Sequence, residues 1–169
     1  MSKTYMIADL HFGGENIIRY ENRPFQSVEE MERALIENWN SIVAEEDTVF
    51  VLGDFSSGQR AEQDGAILKR LRGTKILIMG NHDTHRTPEE WRSLGFAECS
   101  QWPIVFREFF LLSHEPLYLN RNMPYANIYG HVHGNVTYQT VTEQSACVSV
   151  ERIGYTPVDF ESLVQRMKP

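Results

Sequence analysis

Cysteine, positive charge and long apolar runs are all scarce in this sequence. Its two cysteines, Cys99 and Cys147, are too few for a disulfide framework and read as small buried hydrophobes in a reducing compartment. Lys and Arg total 16 against 23 Asp and Glu, which gives a formal charge of −7. Broad nucleic-acid-binding faces rely on Lys and Arg to neutralise phosphates, so this balance argues against one. The apolar stretch at the N-terminus is broken by Asp9 and His11, and no run approaches the roughly 18 residues of a membrane span. A cytoplasmic protein without membrane contact is the expectation. At 169 residues, 41% hydrophobic and 11% aromatic, the chain can fill the core of a single domain over residues 1–169. Nothing in it sets an oligomeric state.

What is present is a series of short apolar runs, each followed at once by polar residues. The runs cover 5–8, 48–52, 76–79, 109–112 and 127–129. Runs of this length, rich in Val, Ile, Phe and Tyr, read as buried strands. The motifs after them are D-L-H (Asp9 to His11), G-D (Gly53, Asp54), G-N-H-D (Gly80 to Asp83), S-H (Ser113, His114) and G-H-V-H (Gly130 to His133). A single D-x-H or G-D is a weak signal. Five in register with five strand ends point to one shared site at the sheet edge, where loops after strands build the sites of α/β proteins. Between the strands, apolar residues at helical spacing predict a helix over 28–44, with Ser27 and Glu30 as a capping box. A second helix is expected over 61–71, and a third opens at Thr87, Pro88 and Glu90 and closes at Gly95. Short strands follow over 96–99, 104–106, 109–112, 127–129, 136–139 and 147–151, then a helix over 159–167. The fold class is mixed α/β.

Asp9, His11, Asp54, Asn81, His114, His131 and His133 offer imidazole, carboxylate and amide oxygen donors, a mixture suited to Mn, Fe, Ni or Zn. No cysteine lies in the motifs, which disfavours a structural thiolate zinc site. As i, i+2 pairs of extended segments, Asp9 with His11 and His131 with His133 are expected to point the same way. Gly53, Gly80 and Gly130 would let the backbone turn sharply just before each ligand, where a larger residue would be strained or would crowd the ions. His85 lies outside the pattern and reads as a loop residue.

In this order the motifs resemble the calcineurin-like metallophosphoesterase superfamily. The likeness is strongest to a small single-domain prokaryotic and phage branch, in the segments N-I-I-R-Y-E-N-R-P-F (16–25) and V-S-V-E-R-I-G-Y-T-P (148–157). The resemblance implies two packed mixed sheets flanked by helices, an αββα sandwich. It also implies two divalent ions, the first held by Asp9, His11, Asp54 and His133 and the second by Asp54, Asn81, His114 and His131. Asp54 would bridge. Two ions carry +4 against −2 from Asp9 and Asp54, an excess that favours an anionic phosphate. By the same likeness a metal-bridging hydroxide attacks the phosphoester, His82 is the general acid and Asp83 orients it. Arg19 and Arg23 could fork a substrate phosphate alongside Asn81, or could hold a surface loop by salt bridges. Two departures, Gly14 where His is frequent and Cys147 where Asn is frequent, bear on substrate contacts rather than on ligands.

The expected activity is metal-dependent hydrolysis of a phosphorylated small molecule or phosphodiester, the diester slightly favoured. The second carboxylate of the protein phosphatases' G-D-x-x-D-R-G is missing from G-D-F-S-S-G-Q (53–59), which argues against that activity. The rivals are a non-catalytic scaffold of the same fold that binds a protein partner, as the retromer subunit does, and a nuclease of the superfamily. A scaffold would tolerate loss of ligands or of His82, and none is lost. A nuclease would need its positive charge from the ions and a local arginine cluster.

Overall fold

The computed structural model describes residues 1–120, 122–135 and 144–167. β1 (Thr4–Ile7), β2 (Thr48–Leu52) and β3 (Thr74–Ile78) form the centre of a five-stranded sheet ordered β4-β3-β2-β1-β9. β4 (Glu98–Ser100) joins in parallel, while β9 (Val158–Asp159) pairs antiparallel with β1. A second sheet is ordered β5-β6-β7-β8, from β5 (Ile104–Phe106), β6 (Phe110–Leu112), β7 (Ala126–Tyr129) and β8 (Ser145–Cys147). Among the described residues the fold is an α/β sandwich of two mixed sheets with five α-helices.

The central strands bury both faces, which is why they read as unbroken apolar runs. Tyr5, Ile7, Val49, Val51 and Leu77 face the helices, and Met6, Ala8, Phe50, Leu52 and Ile78 face the second sheet. α2 (Val28–Ile42) supplies Met31, Leu35, Ile36 and Trp39 to the helix-side core, joined by α3 (Ala61–Arg70) and by Trp91 of α4 (Pro88–Leu94). α5 (Phe160–Arg166) lends Phe160 and Leu163 to the inter-sheet core. The two sheets touch where Ala8 N–H donates to Val148 O and Val150 N–H donates to Ala8 O, 2.9 and 3.1 Å. That contact closes the sandwich at the C-terminal ends of β1 and β8.

Local signals hold with adjustments. Thr87 and Glu90 make the reciprocal capping box at α4, and Gly95 caps its C-terminus at φ +139°. At α2, Ser27 accepts from Glu30 N–H, but the Glu30 carboxylate accepts from Gln26 N–H rather than from Ser27. The segment read as a loop over 16–25 begins as a one-and-a-half-turn helix, α1 (Glu15–Tyr20), braced by an Arg19–Glu15 ion pair of 2.8 Å. β9 escaped notice because two residues carry no period. The expected strand over 136–139 lies outside the described residues. Both cysteines are free and half-buried rather than fully buried; Cys147 Sγ lies 3.1 Å from Ser149 Oγ. Among the described residues no helix is long and apolar enough to cross a membrane.

Candidate metal centre

β1, β2, β3, β6 and β7 each end within one residue of one of the five motifs, so parallel pairing delivers all five to one edge of the sandwich. Within the motifs the chain is not extended. Asp9, His11, Asp54, His131 and His133 all take left-handed backbone, with φ of 61°, 51°, 54°, 68° and 48°. The pairing of Asp9 with His11 and of His131 with His133 therefore comes from two left-handed residues flanking an anchor, not from strand alternation. The anchors are Leu10 and Val132, both buried. A non-glycine residue in this region costs on the order of 1–3 kcal/mol, and such strain gathers at functional sites.

The glycines act by two different means. Gly53 has φ +86°, and a Cβ on it would also fall 2.1 Å from His114 Nδ1. Gly80 and Gly130 need no positive φ. A Cβ there would strike Asp54 Oδ1 at 2.2 Å and Ala8 Cβ at 2.4 Å. Glycine is required because ligands pass against the backbone.

Among the described residues the donor clusters include Asp9–His11–His133 and Asp54–His114–His131, and another sets His82 with His11 and Asp54. Asp54 Oδ2 lies 3.4 Å from His11 Nε2 and 3.4 Å from His114 Nε2, so one carboxylate oxygen faces both. Asn81 Oδ1 is 3.0 Å from His114 Nε2, and His131 Nδ1 is 3.1 Å from the same atom. Outer contacts aim the rings: His114 Nδ1 meets Leu52 O at 2.9 Å and His133 Nδ1 meets Glu151 Oε1 at 3.1 Å, which turns each Nε2 inward. His11 Nε2 is buried with no hydrogen-bond partner among the described residues. A buried imidazole nitrogen is costly to leave unpaired, and a divalent cation between it and Asp54 would satisfy it. The donor set fits.

Electrostatics reflect the crowding. Burial pushes Asp9 up to about 6 and His11 down to about 3. Burial also acts to raise Asp54, but the hydrogen bond and charge of His114 hold it at about 2. In return His114, despite its burial, is raised to about 9 chiefly by Asp54.

A family model described as calcineurin-like phosphoesterase matches residues 2–162. The chain belongs to this family. It is 36% identical over 171 residues to the uncharacterized protein MJ1445 of Methanocaldococcus jannaschii, covering 98% of this chain and 91% of that one. It is 40% identical over 85 residues to the Gene 66 protein of Mycobacterium phage L5, 49% of this chain and 41% of the phage protein. A crystal structure of a protein of unknown function, AQ665 from Aquifex aeolicus, superposes with a TM-score of 0.77 at 26% identity, over 98% of this chain and 99% of that one. Family and clusters together support a metal-dependent phosphoesterase.

In this calcineurin-like phosphoesterase the remaining expected site residues divide. His82 is exposed beside the clusters, its ring 4.9 Å from that of His11 and its N–H donating to Asp54 Oδ1 at 2.9 Å. Asp83 does not meet the His82 ring. Its buried carboxylate accepts from Asp54, Phe55 and Gly80 N–H at 2.7, 3.0 and 2.9 Å, which fixes the second and third motifs to each other. Burial raises it to about 7. Arg23 is also corrected: its guanidinium is fully buried, donating to Asp9 O, Leu10 O and Glu151 at 2.6, 2.9 and 2.9 Å. It has no face for a phosphate and instead holds the D-L-H loop from behind. Arg19 stands exposed on α1, paired with Glu15 and not with any motif residue. His85 Nδ1 lies 2.7 Å from His82 O, a loop contact. Sequence reading missed Glu151, whose side chain is 7% exposed between Arg23 and His133. Its only signal was a place in V-S-V-E-R, since a lone Glu has no spacing to betray it.

Proposed function

We propose that this chain is a binuclear metal-dependent phosphodiesterase. The observation that carries the reading is the single Asp54 oxygen equidistant from His11 Nε2 and His114 Nε2, the arrangement a bridging ligand needs. Two divalent ions bound there would polarise the phosphoryl oxygens and lower the pKa of water at the site. The chain's own residues supply the rest. Asp9, His11, Asp54 and His133 would hold one ion and Asp54, Asn81, His114 and His131 the other. Asn81, exposed at the rim, can also turn its amide N–H toward a phosphoryl oxygen. His82 holds a proton for the departing oxygen: its backbone is tied to Asp54 while its ring makes no hydrogen bond among the described residues. A preference for diesters is supported by two cavities of about 330 and 370 Å³ that meet at Glu115, one against Asn81 and His114 and the other against His131 and His133. Each can take one arm of a two-armed phosphate.

Manganese is a suitable first ion for reconstitution because every donor is nitrogen or oxygen. Metal analysis should return up to two ions per chain. Activity of the Mn²⁺-loaded protein should appear on phosphodiesters more than on monoesters and vanish in Asp54→Asn. A fully loaded protein inactive on every linear diester, cyclic diester and monoester, and on single-stranded nucleic acid, would leave the scaffold reading standing instead.

A further inference from the structure

The cavity against Asn81 and His114 has a second end that the metal centre does not explain. β4 runs parallel beside β3, so the segment after it emerges at the same sheet edge as the motifs. That segment is Gln101, Trp102 and Pro103, and with Leu117 it lines the same cavity as the two ligands. Trp102 is 75% exposed, whereas Trp39 and Trp91 are fully buried. Solitary exposed aromatics are ordinary. Trp102 differs in that its backbone is anchored: Ser100 Oγ accepts its main-chain N–H at 3.1 Å and donates to its C=O at 2.8 Å. An exposed indole on an anchored backbone thus shares the lining of one cavity with the ligands Asn81 and His114.

We propose that this slot binds a flat, uncharged ring on one arm of the substrate, stacked on Trp102 while the phosphate lies at Asn81 and His114. Every aromatic ring offers a face for such stacking, so the shared chemistry covers a simple aryl group and a nucleobase. Glu115 also lines the slot and opposes a second anionic group there, which argues against a polyphosphate arm. The volume of about 330 Å³ lies at the small end of ligand pockets, enough for one ring system. The inference rests on the phosphoester reading and names the substrate class for the same site.

The test uses phosphonates, which cannot be hydrolysed at their P–C bond, so binding is read without turnover. Methylphosphonate, phenylphosphonate and a nucleoside 5′-methylenephosphonate are titrated into the Mn²⁺-loaded protein by calorimetry, with tryptophan emission followed in parallel. The ring-bearing ligands should bind roughly 5- to 150-fold tighter than methylphosphonate, the range of one stacked base. They should also quench the exposed fraction of the emission, which Trp102 supplies. Trp102→Ala should abolish the preference and leave methylphosphonate affinity unchanged, and Trp102→Phe should keep most of it. Preference for phenyl alone marks a single-ring occupant, and added affinity for the nucleoside marks a nucleobase; either supports the slot. Methylphosphonate binding as tightly as the others, or a preference surviving in Trp102→Ala, overturns it while sparing the phosphoester reading. If no phosphonate binds the loaded protein, both fall.

Discussion

His131 allows the backbone strain at the centre to be measured separately from the loss of a ligand. Its φ of 68° is left-handed, its side chain is exposed, and its N–H donates to the Asp9 carboxylate at 2.9 Å. His131→Ala and His131→Gly remove the same ring and keep the same N–H, so they differ only in backbone preference. An L-residue in this region costs about 1–2 kcal/mol. The greater unfolded-state freedom of glycine offsets about 0.5–1 kcal/mol of that. Glycine should therefore be the more stable variant by roughly 0.5–1 kcal/mol, the reverse of the usual order. For a chain of this size that is a melting temperature higher by about 1–4 °C, measured by calorimetry on metal-free protein. Glu37, exposed in the middle of α2, is the control, where Ala should exceed Gly by about 1 kcal/mol. Wild type should gain about 2.7 kcal/mol when Mn²⁺ is present at one hundred times its Kd, and both His131 variants much less. If Ala matched or exceeded Gly at 131, the left-handed backbone would not exist in solution, and the account of how His131 and His133 come together would be wrong.

Three further outcomes follow from the same geometry. His82→Ala should lower turnover by about 10²–10⁴-fold with metal content near normal, and the defect should shrink for nitrophenyl esters, whose leaving group needs little protonation. Equal loss for good and poor leaving groups would make His82 a phosphate clamp rather than an acid. Glu151→Gln weakens the acceptor that orients His133, so titration calorimetry should show metal affinity at one site reduced by about 10–100-fold while the other is retained. An unchanged affinity at both sites would remove Glu151 from the support of the centre. Asp83→Ala strands three buried N–H groups at about 1–3 kcal/mol each. Chemical denaturation should report a loss of several kcal/mol, and a variant as stable as wild type would show that other acceptors replace the carboxylate.

The order of the motifs and the strands before them was legible in the sequence for one physical reason. A strand buried on both faces reads as a near-continuous apolar run, so Asp9, Asp54 and His114, themselves buried, mark where strand pairing ends. Helix starts and stops were legible where a local hydrogen bond enforces them, as at Thr87 and Glu90. Conformation inside the motifs was not legible. Asp and His tolerate positive φ better than most residues but still pay for it, and the surrounding core, gripping Leu10 and Val132, holds them there. The roles of Arg23, Asp83 and Glu151 were likewise decided by tertiary structure. A guanidinium that could bind a phosphate at the surface is, once buried, saturated by Asp9 O, Leu10 O and Glu151, and which of these fates it meets depends on partners up to 128 residues away in the chain. Trp102 was silent for the same reason: its place beside Asn81 and His114 exists only because β4 pairs with β3.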